Sequence, residues 1–165
     1  MTAFLLDTNT LIQAKNEYYD FSLCPGFWDW LDMMSDAGRV FSIEPVLDEL
    51  REGSDELTDW AEDRAESLFR PVDELAAAEI PNVAAWVQAG DFKDQAKRGF
   101  LAKADPILIA YAKSHPNVTL ATHEVHIPGE RKKVKIPTVC RAMGVTCIRT
   151  FGMLAAENAR FILGS

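Results

Sequence analysis

The sequence predicts an α/β fold around a central, mostly parallel sheet of about four strands. Four short apolar runs, at residues 3–6, 40–43, 118–121 and 145–148, have the length and composition of buried strands. Segments with helical spacing of apolar residues separate them, the alternation expected of parallel strands joined by crossovers. No repeat, low-complexity stretch or linker interrupts the chain, so residues 1–165 are read as a single domain.

Each element has a local signal. Ala3-Phe4-Leu5-Leu6 ends at Asp7-Thr8-Asn9, which leads into a helix from about Thr8 to Lys15. Asn16 to Leu23 reads as a tyrosine-rich loop. Pro25 suits the first turn of a helix reaching about Asp36, closed by Gly38, with Phe27, Trp28, Trp30, Leu31 and Met34 as its apolar faces. After the second strand, Pro45 starts a short helix through Leu50 that stops at Gly53. Ser54 starts the next helix, which runs to about Phe69 before Pro71 breaks the chain. Asp73 to Ala102 is helical, interrupted at Pro81 and Gly90. Asp105-Pro106 opens an apolar helix, and His115-Pro116-Asn117 turns into the third strand. Residues 126–136 form a polar, basic connection. Thr138 to Met143 is a short helix closed by Gly144, and a last helix fills about Phe151 to Phe161.

The chain carries 17 Lys+Arg against 25 Asp+Glu, a formal charge of −8. The charge is uneven: residues 1–60 are net −10, residues 61–130 net −4 and residues 131–165 net +6. Bulk charge argues against a nucleic-acid partner, but a local basic patch can still bind phosphates. Three cysteines without CxxC spacing suggest neither a disulfide frame nor a zinc site. No apolar run approaches the ~18–20 residues of a membrane span, and the N-terminus lacks a signal layout, so a cytoplasmic protein is expected.

In open α/β sheets, functional groups gather at the carboxyl ends of the strands. Asp7 directly follows the first strand, and Glu124 follows the third by three residues. Glu49 and Asp105 lie on helices that begin near the same edge. On a helical wheel Val46, Leu47 and Leu50 share a face with Glu49 at its flank, while Asp48 and Glu52 point more nearly away. Each acid also fits a structural role: Asp7 and Asp105 as helix caps, Glu49 as a solvated helix residue, Glu124 as a loop acid. Together, four segments deliver a carboxylate to one sheet edge. At ~5 Å and an effective dielectric near 20, each ionised pair repels by about 3 kcal/mol. Such a cluster takes up protons or binds cations, and oxygen ligands suit Mg²⁺ or Mn²⁺.

These segments resemble the PIN-domain family of metal-dependent ribonucleases. The marks are Leu5-Leu6-Asp7-Thr8-Asn9, Glu49-Leu50-Arg51-Glu52-Gly53, Asp105-Pro106-Ile107-Leu108-Ile109-Ala110 and Thr122-His123-Glu124. The tyrosine loop, Cys24-Pro25-Gly26-Phe27-Trp28-Asp29-Trp30-Leu31 and Thr122-His123-Glu124 are similar to one PIN-like bacterial branch of unknown function, related to the VapC-type toxins of toxin–antitoxin pairs. The resemblance implies a three-layer α/β/α PIN-like fold. It also implies that Asp7, Glu49, Asp105 and Glu124 form an acidic pocket for Mg²⁺ or Mn²⁺, with Thr8, Asn9, Thr122 and His123 as polar neighbours that orient ligands and water. Two positions depart from the family pattern: the fourth acid, often Asp, is Glu124, and His123 stands where a variable polar residue is expected. A surface histidine is the plain reading of His123.

Arg131, Lys132, Lys133 and Lys135 follow Glu124 closely, so they read either as phosphate contacts at the pocket mouth or as a solvated loop. Tyr18 and Tyr19 are open between base stacking and a homodimer or antitoxin surface, whereas Trp28 and Trp30 read as packing. Other chemistries lack support. His123-Glu124-Val125-His126 is one residue short of HExxH, and Asn9 replaces the second acid of a DxDxT phosphatase motif. No nucleotide-binding glycine loop or GxSxG is present, and Cys24 has no evident base. The expected activity is therefore a metal-dependent endoribonuclease acting as a type II toxin with a cognate antitoxin. The alternative is a non-catalytic PIN-like module that binds RNA or protein.

Overall fold

The computed structural model describes residues 1–164. Five parallel strands form the sheet: β1 (Ala3–Leu6), β2 (Val40–Ile43), β3 (Phe69–Arg70), β4 (Val118–Ala121) and β5 (Cys147–Ile148), in the order β3-β2-β1-β4-β5. All residues of β1, β2 and β4 are buried, so helices cover both faces, the three-layer arrangement expected. Ser42 and Thr119 are the polar members of this interior, and the Ser42 hydroxyl donates to the Leu6 carbonyl at 2.8 Å.

The helices are α1 (Thr8–Gln13), α2 (Pro25–Asp36), α3 (Glu44–Arg51), α4 (Glu56–Glu62), α5 (Glu74–Ala89), α6 (Asp94–Leu101), α7 (Asp105–Ser114), α8 (Ile136–Met143) and α9 (Thr150–Ala156). From β1 the chain moves outward one way to β2 and β3, then returns to place β4 and β5 on the other side. The strand order thus reverses between β1 and β4, and the carboxyl ends of these two strands flank the crevice where such sheets bind ligands.

Four sequence expectations need correction. The helix expected from Ser54 to Phe69 is only α4, capped by Asp55, whose carboxylate accepts from the Thr58 N–H at 3.1 Å. Leu68 and Phe69 instead join the sheet edge, where Ser42 N donates to Leu68 O at 2.9 Å; burial of two large apolar side chains ahead of Pro71 outweighs helix propensity. The sheet therefore has a fifth strand. Pro81 does not interrupt α5, because Pro81 and Ala77, whose carbonyl it leaves unpaired, both face solvent; Gly90 ends the helix. The tyrosine segment begins as a wide helical turn, Ala14–Tyr18, in which Tyr19 N reaches back five residues to Ala14 O at 2.6 Å. The last helix also stops at Ala156 rather than near Phe161.

Gly144 closes α8 in the left-handed region, with φ of 72°. Gly144→Ala should cost about 1 kcal/mol, read as a lower urea midpoint with unchanged slope.

Candidate active site

Strand register builds the centre of the site. Leu6 pairs with Ala121, so the next residues, Asp7 and Thr122, emerge side by side from β1 and β4. The Thr122 hydroxyl donates to Asp7 Oδ2 at 2.8 Å and accepts from the Glu124 N–H at 3.2 Å, linking two of the acids. Asp7 Oδ1 accepts from Thr10 N at 2.7 Å, so Asp7 does cap α1, as its structural role requires. It is 1% exposed. Burial pushes its carboxyl up from the ordinary value, the bonds from Thr10 and Thr122 pull it down, and the Glu49 charge pushes it further up.

Glu49 is half-buried, while Asp48 and Glu52 are exposed, as the helical wheel indicates. The Thr8 hydroxyl donates to Glu49 Oε1, and Ala104 N donates to Oε2 at 3.2 Å. Glu49 therefore ties α1 and α3 to the start of α7 and is not a solvated helix residue. Glu124 Oε2 accepts from Ile136 N at 3.1 Å, which makes it the carboxylate at the N-terminus of α8. Burial raises the Glu124 carboxyl, the Ile136 bond opposes this, the Asp7 charge adds to it, and Lys135 and Lys133 oppose it.

Asp105 differs from the other three. It lies inside the first turn of α7, with Ala104 in the cap position, and its carboxylate accepts no hydrogen bond among the described residues. The capping role is absent. Burial and then the charges of Glu124, Asp7 and Glu49 push Asp105 up to about 7, with Lys103 opposing. Among the described residues none of the four acids forms an ion pair with Lys or Arg.

Asp105 and Glu124 open into a cleft of about 300 Å³. Asn9, Lys132 and Lys133 also line it, and buried Val134 anchors their loop against the core. Lys135 stands at the cap of α8, near enough to act on Glu124. Arg131 is turned away and paired with Asp91 at 3.0 Å. The sequence reading missed Lys103 and Gln95, which line the same cleft from the α6–α7 corner and α6. Lys103 sits two residues before Asp105, a proximity that was available in the sequence. His123 is not a free surface residue. It is half-buried, stacked on Tyr18 with ring centroids 5.8 Å apart, and its Nε2 lies 3.3 Å from the Thr150 hydroxyl.

Among the described residues no three His, Cys, Asp or Glu side chains stand close enough to enclose a cation by themselves. The donors are nevertheless carboxylate oxygens without cationic partners. Mg²⁺ and Mn²⁺ accept such donors with several waters retained, so Asp7, Asp105, Glu49 and Glu124 are the residues that could hold one.

The raised Asp105 value has a thermodynamic consequence. The folded state holds extra protons between 3.8 and about 7, so stability falls as pH rises through that window. The window reflects the burial of Asp105 and the charges of Glu124, Asp7 and Glu49 acting on it. Asp105→Asn should stabilise the metal-free protein at pH 8 by about 1–2 kcal/mol after solvent screening, and change little at pH 3.5. Urea denaturation in chelator at the two pH values reads this; equal effects at both contradict it.

No curated protein matches the sequence. The fold is similar to that of VapBC2 from Rickettsia felis bound to a DNA fragment from their promoter, with TM-score 0.55 and 14% identity over 90% of this chain and 98% of that one. It is also similar to FitAcB from Neisseria gonorrhoeae, with TM-score 0.51 and 21% identity over 88% and 96% of the two chains. FitAB bound to an IR36 DNA fragment gives 0.50 and 20% over 88% and 94%. These likenesses support a PIN-like fold. Residues 4–161 match the model of a domain of unknown function, DUF4411, and the chain belongs to that family.

Proposed function

We propose that residues 1–165 form one domain, a Mg²⁺/Mn²⁺-dependent endoribonuclease that acts in the cytoplasm as the toxin of a type II toxin–antitoxin pair. The observation that carries this reading is the crowding of four carboxylates, drawn from four segments, at the point where the strand order reverses, beside a rim of Lys103, Lys132 and Lys133. The likeness to VapBC2 and FitAcB supports a toxin role and a cognate antitoxin as partner, and a homodimer is the expected assembly.

The donors fit a hard cation: all are oxygens, all lack ion-pair partners among the described residues, and the carboxyls of Asp7, Asp105 and Glu124 are pushed up from their ordinary values. Asp7, Glu49, Asp105 and Glu124 would hold it, and when bound it orients the phosphodiester, activates water and stabilises the leaving oxygen. The chain's own groups do the rest. Thr10 N and the Thr122 hydroxyl fix Asp7, and Thr8 fixes Glu49. Asp105, which no hydrogen bond holds among the described residues, faces the cleft beside Glu124 and would orient the attacking water at its carboxylate. Lys103, Lys132 and Lys133 meet substrate phosphates, with Lys135 beside them, and give affinity without reading sequence. No covalent intermediate is part of this reading: the Thr8 and Thr122 hydroxyls, which touch the acids, are engaged in holding Glu49 and Asp7.

Two arms test this. Wild-type protein should cleave RNA only with Mn²⁺ or Mg²⁺, and Asp7→Asn or Asp105→Asn should lose at least about 100-fold while keeping a native circular dichroism spectrum. Sequencing RNA ends after incubation with wild type and Asp7→Asn separates real cleavage from contamination. Full activity in both variants would sink the assignment and leave a non-catalytic binding module. Lys132→Gln with Lys133→Gln should weaken RNA binding and lower the salt slope by about 2.

A further inference from the structure

The two tyrosines, equivalent in the sequence, have opposite fates. Tyr19 is packed inward, stacked on Phe27 at 4.4 Å and against Phe161 at 5.8 Å. Tyr18 is 48% exposed. The two are adjacent at the end of the wide turn Ala14–Tyr18, so their side chains leave the backbone roughly 100° apart. Tyr18 is thereby aimed at His123, whose ring lies nearly parallel to it, 13° off, at 5.8 Å. Phe151, at the start of α9, meets Tyr18 edge-on at 5.5 Å and is 57% exposed. Arg149 is exposed, forms no ion pair among the described residues, and lies close enough for its charge to act on His123.

His123 covers one face of Tyr18 and Phe151 flanks it, while about half of the residue stays open to solvent. This exposed aromatic pair has a position that packing does not explain. His123 directly precedes Glu124 in the chain. The carbonyl of Thr10 faces the His123 ring, and the N–H of Thr10 holds Asp7. The platform is thus joined to two of the four acids, on the side away from Lys132 and Lys133.

From this juxtaposition we infer that Tyr18 and Phe151 form a stacking platform for an unpaired nucleobase adjoining the acidic cleft, with Arg149 meeting a neighbouring phosphate. Continuity with the acids and an unpaired arginine favour single-stranded RNA over a protein partner, which would cover the aromatics without needing that cation. Duplex RNA does not fit, because its bases are already stacked. The platform rests on the proposed RNA substrate but not on cleavage.

The test is binding of a fluorescein-labelled twelve-nucleotide oligoadenylate in chelator, by anisotropy, in an Asp7→Asn background. Tyr18→Ala and Phe151→Ala should each raise Kd about ten-fold, Tyr18→Trp should retain affinity and have its added indole quenched on binding, and Arg149→Gln should lower the salt slope by about 1. A duplex of the same length should respond to none of the aromatic changes. Unchanged affinity in both alanine variants, an unquenched indole, or no binding at all overturns the platform; unchanged affinity leaves a surface for protein. The nuclease reading is decided separately. An oligoadenylate that binds through Tyr18 but is never cut by wild type with Mn²⁺ removes the nuclease and keeps the platform, whereas cutting unaffected by Tyr18→Ala does the reverse.

Discussion

The repulsion among four carboxylates at the meeting of β1, β4, α3 and α7 is the constraint on which the rest of the site depends. Glu124, Asp7 and Glu49 raise the cost of ionising Asp105, and no arginine or lysine is paired with any of the four among the described residues. Neutral donors hold three of the four: Thr10 and Thr122 on Asp7, Thr8 and Ala104 on Glu49, Ile136 on Glu124. Neutral donors fix position while leaving the negative charge uncancelled. Asp105 has no such donor and is pushed up to about 7. A cluster of this kind has two ways to relax: a proton on Asp105 or a divalent cation among the acids.

The apolar frame makes the crowding tolerable. Strands β1 and β4 are buried along their whole length, and their register sets Asp7 beside Thr122 independently of any side-chain choice at the edge. Helix α5 packs along α7, whose first turn carries Asp105. Val134 and Ile136, both buried, pin the basic loop so that Lys132 and Lys133 overlook the cleft. Electrostatic strain at the edge is thus opposed by burial that lies mostly behind it.

The sheet core and the four acids were legible because both rest on local patterns. Continuous apolar runs mark β1, β2 and β4, and acids at their ends point to the carboxyl edge. The flank position of Glu49 followed from helical periodicity alone. Features set by distant partners were not legible. The two-residue strand β3 exists because Ser42 and Ile43 offer it an edge. Asp105 loses its capping role because the helix begins one residue earlier: Leu108 N donates to the Ala104 carbonyl at 2.9 Å, which puts Ala104 in the cap position and Asp105 inside the first turn. Which of the adjacent Tyr18 and Tyr19 packs inward is set by distant partners, Phe27 and Phe161 against Tyr19 and His123 against Tyr18.

The net charge of −8 also divides along the structure. Part of it is concentrated in the four acids, where a cation would cancel it, and the basic excess of residues 131–165 supplies Lys132 and Lys133 to the cleft. Whether the uncancelled carboxylates form a cation site is the central claim, and calorimetric titration of the purified protein with Mn²⁺ at pH 7.5 addresses it directly. The account predicts saturable binding of one or two ions by wild type and its loss in Asp7→Asn. Equal binding by both proteins, or none by wild type, would contradict it.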